Sequence, residues 1–341
     1  MELDDIFEGG LAELHTHLGG SVASDIMWSL AHEQGIALPT RDYWEFERLV
    51  TVSDPRGVPN LDALDQIYHL TELIQSSPFA VERSVHAAIG GAYRSQRITT
   101  FELRFNPMKR NRGGERDLDH IILAAIHGLD LASLEYPQVR AGLILMMDRT
   151  FTAAQNAVIV EKAVRYASRG VVGIDIAGPR PGGARWDYTQ IREQVETARA
   201  AGLGVTIHVG EEGGAHGIAE LREVVETLKP DRIGHGILAA RDPELMAQLA
   251  EAQITLEICP TSNLLTKALS GEAEVRETFR AFVENSVPFT IATDGPEMMR
   301  THLRDEFELL LRIGALDESE AQAANQRGHE SSFVGRRVLT A

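Results

Sequence analysis

No stretch of 18 uninterrupted apolar residues occurs in this chain, so it offers no candidate for a helix that crosses a bilayer. Cysteine is nearly absent: Cys259 stands alone, which excludes an internal disulfide. Positive charge is scarce, with 33 Lys and Arg against 50 Asp and Glu, a formal charge of -17, and no basic run. Nucleic acid and anionic membrane surfaces both need clustered cations, so neither is an expected partner. No Gly-x-Gly-x-x-Gly turn follows an early apolar run, which counts against an open dinucleotide-binding sheet. Nor is there a repeat, a low-complexity linker or a composition shift that would divide the chain. The first residues, Met-Glu-Leu-Asp-Asp-Ile-Phe-Glu, are acidic where a secretion signal is basic and then apolar, so the expected location is the cytoplasm.

What is present suits one large domain over residues 1–341: 43% of the residues are hydrophobic, enough to bury a substantial core. Eight apolar, β-branched runs end in turn residues or in His: Leu11 to Leu18, Ile98 to Phe105, Val139 to Met147, Val171 to Ala177, Leu203 to Val209, Arg232 to His235, Ile254 to Ile258 and Val287 to Thr293. Segments of helical periodicity such as Asn156 to Ser168 and Asp187 to Ala201 alternate with them, which predicts a parallel (β/α)8 barrel. The first crossover, residues 24–97, is too long for one helix. It reads as a helical insertion, with helices over Ser24 to Gln34, Tyr43 to Leu49, Leu61 to Ile74 and Val81 to Ser95, placed over the C-terminal face of the barrel as a lid. Val52 to Asn60 and Lys109 to Arg116 read as loops.

Four histidines and an aspartate sit where strands end. His15-Thr16-His17 closes the first run, and alternate strand residues share a face, so both imidazoles can reach one ion. His208 closes the fifth run, His235 the sixth, and Asp294 follows the eighth. In a barrel these five converge above one rim, a coincidence that unrelated structural histidines have no reason to produce. Three His and one Asp form an N/O set suited to a single Zn2+, whose bound water titrates near ~7. Spacing alone leaves His235 either a fourth nitrogen ligand or a base. Glu211, three residues after His208, places a carboxylate on the loop beyond the fifth strand, where it can move protons.

Seven segments carry a resemblance: Glu13-Leu-His-Thr-His-Leu-Gly-Gly-Ser21, Phe101-Glu-Leu-Arg-Phe105, Gly173-Ile-Asp-Ile-Ala-Gly178, Thr206-Ile-His-Val-Gly-Glu211, Arg232-Ile-Gly-His-Gly236, Glu257-Ile-Cys-Pro-Thr-Ser-Asn263 and Ala292-Thr-Asp-Gly-Pro296. In order, they resemble the signature segments of the adenosine deaminase family within the amidohydrolase superfamily. The resemblance implies that His15, His17, His208 and Asp294 hold zinc, that His235 orients and deprotonates the attacking water, and that Glu211 protonates N1 of the purine. It further implies that Gly178 brings a backbone N–H to purine N3, and that Arg104 serves a structural ion pair. The fourth strand has no Lys to be carboxylated between two metals, which favours one metal, and one cysteine cannot supply the Cys-x-x-Cys pair of cytidine-deaminase zinc sites.

The chain departs from adenosine-specific members of that family at substrate-contacting places. Gly19 stands where they carry an Asp for the ribose 5'-hydroxyl, and Gly295 where they carry an Asp for purine N7. An Asp-to-Gly change at 19 is expected to open space. Arg180, in Pro179-Arg-Pro-Gly-Gly183, replaces part of an acidic pair and is a candidate carboxylate fork. Together they suggest a 5'-extended adenosine bearing a carboxylate, and 6-aminodeoxyfutalosine of the futalosine route to menaquinone fits. Adenosine is the second expectation, adenine the third. The non-enzyme alternative is a purine-binding barrel without turnover.

Overall fold

The structure, a computed structural model, describes residues 6–7, 9–54, 56–59, 61–111, 117–180, 184–211 and 216–334. The expected loop over 109–116 is described only as far as 111, and residues 181–183 of the Arg180 segment also lie outside the described residues.

Eight strands run β1 Leu11–His17, β2 Ile98–Phe105, β3 Arg140–Asp148, β4 Val171–Ala177, β5 Gly204–Val209, β6 Arg232–His235, β7 Thr255–Ile258 and β8 Phe289–Ile291. They pair in sequence order, all parallel. A parallel bridge between Thr16 and Asp294 joins the last strand's end to the first. There the His17 N–H donates to the Asp294 carbonyl at 2.7 Å and the Asp294 N–H to the His15 carbonyl at 2.8 Å, so the sheet curls into a (β/α)8 barrel. β8 begins after Pro288, which has no N–H with which to extend the ladder toward the start of the apolar run.

Helices α1 Ser24–Glu33, α2 Tyr43–Val50, α3 Leu61–Ile74 and α4 Pro78–Gln96 make up the crossover from β1 to β2. Those outside and after the barrel strands are α5 Leu118–Glu135, α6 Ala153–Arg165, α7 Arg192–Ala200, α8 Gly217–Glu223, α9 Pro243–Ala252, α10 Pro260–Leu265, α11 Glu272–Glu284, α12 Pro296–Met299, α13 Leu303–Arg312 and α14 Glu318–Ser331. Their starts follow local chemistry: Ser77 caps α4 with Pro78 in its first turn, and Thr152 with Gln155 forms a capping box on α6. The helix expected over 187–201 begins as a 3-10 turn, Tyr188–Ile191, before α7.

The strands alternate with period two. Phe101, Leu103 and Phe105 of β2, Val205, Ile207 and Val209 of β5, and Leu256 and Ile258 of β7 belong to the apolar core shared with the helices. The residues between them, Glu102, Arg104, Thr206, His208 and Glu257, are buried and polar. Arg104 on β2 reaches Asp175 on β4 at 2.8 Å and Glu257 on β7 at 2.7 Å, contacts that span the barrel and place these side chains in its interior. Arg232 pairs with Glu102 at 2.5 Å and Glu257 at 2.7 Å. The interior is therefore a charged layer, tolerable because each charge has a hydrogen-bonded partner.

At the end where strands begin, the chain's tail closes the barrel. Phe333 lies against Gly173 and Gly204; a Cβ on Gly173 would stand 2.8 Å from the phenyl ring. The Arg232 guanidinium stacks on that ring at 3.7 Å, and Glu102 accepts from Ser332 Oγ at 2.7 Å and the Phe333 N–H at 2.6 Å.

Candidate active site

At the opposite end, the strand termini bring the four histidines together. The His15 ring lies 5.4 Å from His17, 4.5 Å from His208 and 4.9 Å from His235. One ring nitrogen from each of His15, His17 and His208 lies within 4.8 Å of the others. His17 Nε2 faces His208 Nε2 at 3.2 Å, and Asp294 Oδ1 is 3.4 Å from His17 Nε2 and 4.0 Å from His15 Nε2.

Carboxylates behind the rings decide which nitrogen is bare. His15 Nδ1 donates to Glu257 Oε2 at 2.8 Å, and His208 Nδ1 to Asp175 Oδ2 at 2.9 Å, so both rings turn an unprotonated Nε2 toward the centre. Burial, then nearby positive groups, keeps His15, His17 and His208 neutral by holding their pKa well below the ordinary value. Burial likewise raises Asp175 to about 6, opposed by Arg104. Glu257 is lowered to about 2: burial acts to raise it, and Arg104 and Arg232 outweigh that.

This donor set fits a divalent cation on two counts. The buried Nε2 of His15 has no hydrogen-bond partner, although it is an acceptor aimed at the cluster. Three neutral imidazoles and the carboxylate of Asp294 also make an N/O donor set of the kind that holds zinc.

His235 and Glu211 stand beside the cluster, with Glu211 Oε2 3.6 Å from His235 Nε2. His235 Nδ1 lies 3.0 Å from the amide of Asn263. Turning that amide about gives its otherwise unpartnered Oδ1 the Nδ1–H of His235, which leaves the His235 Nε2 lone pair facing Glu211. His235 and Asp294 have φ of 61° and 65°, the left-handed region that costs a non-glycine residue on the order of 1–3 kcal/mol. The barrel imposes these conformations at both positions, as functional sites often require.

One cavity opens onto this centre. Its wall includes His17, His208, Glu211, His235 and Asp294 from the rim, Arg149, Gly178 and Arg180 from the loops after β3 and β4, and Leu64, Asp65 and Tyr68 from α3 of the insertion. The structure thus brings to one wall seven residues expected from the sequence, His17, Gly178, Arg180, His208, Glu211, His235 and Asp294, with His15 in the cluster beside them, and adds Tyr68 and Arg149.

Two glycines expected at the wall face filled space. Gly19 does not open space: it is fully buried and a Cβ there would stand 2.9 Å from Cδ1 of Tyr68. At Gly295 a Cβ would stand 3.0 Å from the Tyr68 hydroxyl and 3.3 Å from Gly20 Cα. Arg180 does face the cavity, but its Nη2 donates to the buried carboxylate of Glu220 at 2.6 Å, which also holds the Trp186 N–H at 2.8 Å. Its charge is thereby balanced within the protein.

Sequence reasoning missed Tyr68, Arg149, Asn263, Asp175 and Glu257. Asp175 and Glu257 carried a signal, since each is a charged residue at an interior position of a strand otherwise apolar. Arg149 donates to the carbonyls of Gly178 and His208 and, at 3.0 Å, to Tyr188 Oη, a set of loop contacts that no local pattern announces.

A family model described as adenosine deaminase matches residues 10–339. The chain belongs to the adenosine deaminase family. It is 30% identical over 328 residues to an adenosine deaminase of Shewanella loihica, covering 95% of this chain and 94% of that one. Among solved structures, an Arabidopsis N6-mAMP deaminase superposes with a TM-score of 0.82 at 24% identity, over 99% of this chain and 98% of that one. An amidohydrolase of Burkholderia ambifaria with bound zinc gives 0.85 at 22% identity, over 98% and 89%. These likenesses show the barrel fold, and the family membership makes the chain a hydrolytic deaminase.

Proposed function

We propose that this protein is a zinc-dependent deaminase that hydrolyses the C6 amino group of adenine nucleosides or adenine and releases ammonia. The observation that carries the reading is the placement of Glu211 and His235 in one cavity with the bare Nε2 atoms of the histidine cluster. A site built only to bind a purine needs neither an acid nor a base at that spot.

His15, His17, His208 and Asp294 would hold one Zn2+, which when bound supplies a nucleophilic water at neutral pH. His235, whose pKa burial lowers, is neutral and able to take the proton of that water at Nε2. Glu211, with 16% of its side chain exposed, reaches the cavity and delivers a proton to purine N1, which makes C6 electrophilic. Gly178, at the cavity wall with φ of 92°, brings the backbone close to the purine edge where no side chain would fit, since a Cβ would meet Asp148 at 2.7 Å.

The choice among substrates shifts with the wall. The reading toward 6-aminodeoxyfutalosine drew on free space at Gly19 and an uncommitted Arg180; with Tyr68 over the first and Glu220 on the second, adenosine and adenine lead. Ammonia release by zinc-loaded protein from adenosine, adenine and 6-aminodeoxyfutalosine, beside Glu211→Gln, tests this. The expected result is turnover of adenosine or adenine and a Glu211→Gln loss of roughly 10² to 10⁴-fold. No ammonia from any of the three, or turnover by Glu211→Gln within tenfold of wild type, would sink the proposal.

A further inference from the structure

Three glycines form a cradle for one side chain of the insertion. A Cβ on Gly19 would stand 2.9 Å from Cδ1 of the Tyr68 ring, and one on Gly20 3.3 Å from its hydroxyl. On Gly295 it would stand 3.0 Å from that hydroxyl. Two of these glycines follow β1 and the third follows β8, so the cradle sits across the barrel seam, beside the donors of the site. Tyr68 fills it and still reaches the cavity: its ring lies 5.7 Å from the His17 ring and its hydroxyl 3.4 Å from Asp294 Oδ1.

We propose that Tyr68 is a substrate-contacting residue, admitted by Gly19, Gly20 and Gly295, that offers a neutral hydrogen-bond donor to an acceptor atom on the bound heterocycle and fixes the shape of the wall. The inference rests on the deaminase reading above. Two features support it. Tyr68 borders the cavity and the contact of its hydroxyl with Asp294 is long, so a better-placed acceptor on a ligand competes for the proton. Finally, a Cβ at Gly19 would collide with the ring and one at Gly20 or Gly295 would crowd the hydroxyl, so the wall's composition and the tyrosine's position are one arrangement.

The test is a double-mutant cycle with Tyr68→Phe and Gly295→Ala, in zinc-loaded protein, reading kcat/KM, zinc content and Tm. Tyr68→Phe is expected to lower kcat/KM about tenfold on the best adenine substrate, with zinc content and Tm unchanged. The atoms nearest a methyl at Gly295 are the hydroxyl, at 3.0 Å, and the Gly20 backbone. Gly295→Ala is therefore expected to lower activity in the tyrosine background and to add little in the phenylalanine background. Wild-type kcat/KM in Tyr68→Phe overturns the inference, as does loss of zinc in that variant, which would assign the hydroxyl to Asp294 alone. If wild type deaminates none of the substrates, the deaminase reading fails, and Tyr68 is judged by calorimetric binding of inosine and hypoxanthine. A tenfold weaker affinity in Tyr68→Phe supports the assignment, and equal affinity, or no binding by wild type, overturns it.

Discussion

The two ends of this barrel use the same device for opposite purposes. At the end where strands begin, Phe333 from the chain's tail seats on Gly173 and Gly204 and is held by Glu102 and Arg232, so the opening is sealed. At the end where strands finish, Tyr68 from the insertion seats on Gly19, Gly20 and Gly295, but it also borders a cavity, with its hydroxyl 3.4 Å from Asp294 Oδ1. An aromatic ring on a glycine cradle is therefore a plug where every polar neighbour is satisfied, and a wall where unprotonated nitrogens and a left-handed aspartate are left for a ligand. Between them the Arg104–Glu257–Arg232–Glu102 chain of ion pairs joins the back of His15 to the backbone of Phe333.

The comparison predicts that activity and stability separate by end. Glu211→Gln gives the largest effect on turnover, roughly 10² to 10⁴-fold in kcat, with a Tm equal to wild type. A fall in Tm of more than a few degrees would show that the upper end also carries the fold. Phe333→Ala is the reverse experiment: a loss of about 3–5 kcal/mol by chemical denaturation, with kcat per folded molecule retained at low temperature. Loss of kcat in the folded protein would erase the distinction between plug and site. Asp175→Asn tests the layer between them by replacing the carboxylate behind His208 with a neutral amide, and zinc affinity measured by chelator competition should weaken by roughly 10 to 100-fold.

The smallest effect concerns Glu306 on α13, which accepts the Thr261 N–H at 3.0 Å and the Thr301 hydroxyl at 2.8 Å and so steadies the first turn of α10, which carries Ser262 and Asn263. Burial raises its carboxyl from 4.5 to about 7. The folded state thus holds a proton that the unfolded state releases between those values. The stabilisation is complete below about 4.5 and is lost as pH rises through about 7. Denaturation from pH 5 to 8 should show wild-type stability falling more steeply than that of Glu306→Gln, and parallel curves would refute the assignment.

The barrel was legible because its strands are separated by turn residues and alternate with helical periods, and the rim because chemistry-bearing residues stand at strand ends, where direction along the chain implies position in space. Asp175 and Glu257 were quoted within motifs without a role, since their work is on the far side of the histidines. Gly19 shows the limit most clearly. A glycine states that its own side chain is missing, and says nothing of what fills the place; here that is a ring 49 positions downstream on a helix whose pattern reads as ordinary. Arg180 repeats the lesson, because its partner Glu220 lies 40 residues away.

The bridge between Thr16 and Asp294 has a consequence for how the molecule comes into being. The proposed cation donors come from both sides of this seam, His15 and His17 near the beginning of the chain and Asp294 near its end. At a synthesis rate of about 5–20 residues per second, the first histidines wait tens of seconds for the aspartate to emerge. Until then the nascent chain holds scattered imidazoles with no common centre. Capture of a cation by the full proposed donor set thus waits for the segment that bears Asp294, and a molecule that holds one there is a molecule whose barrel seam has closed.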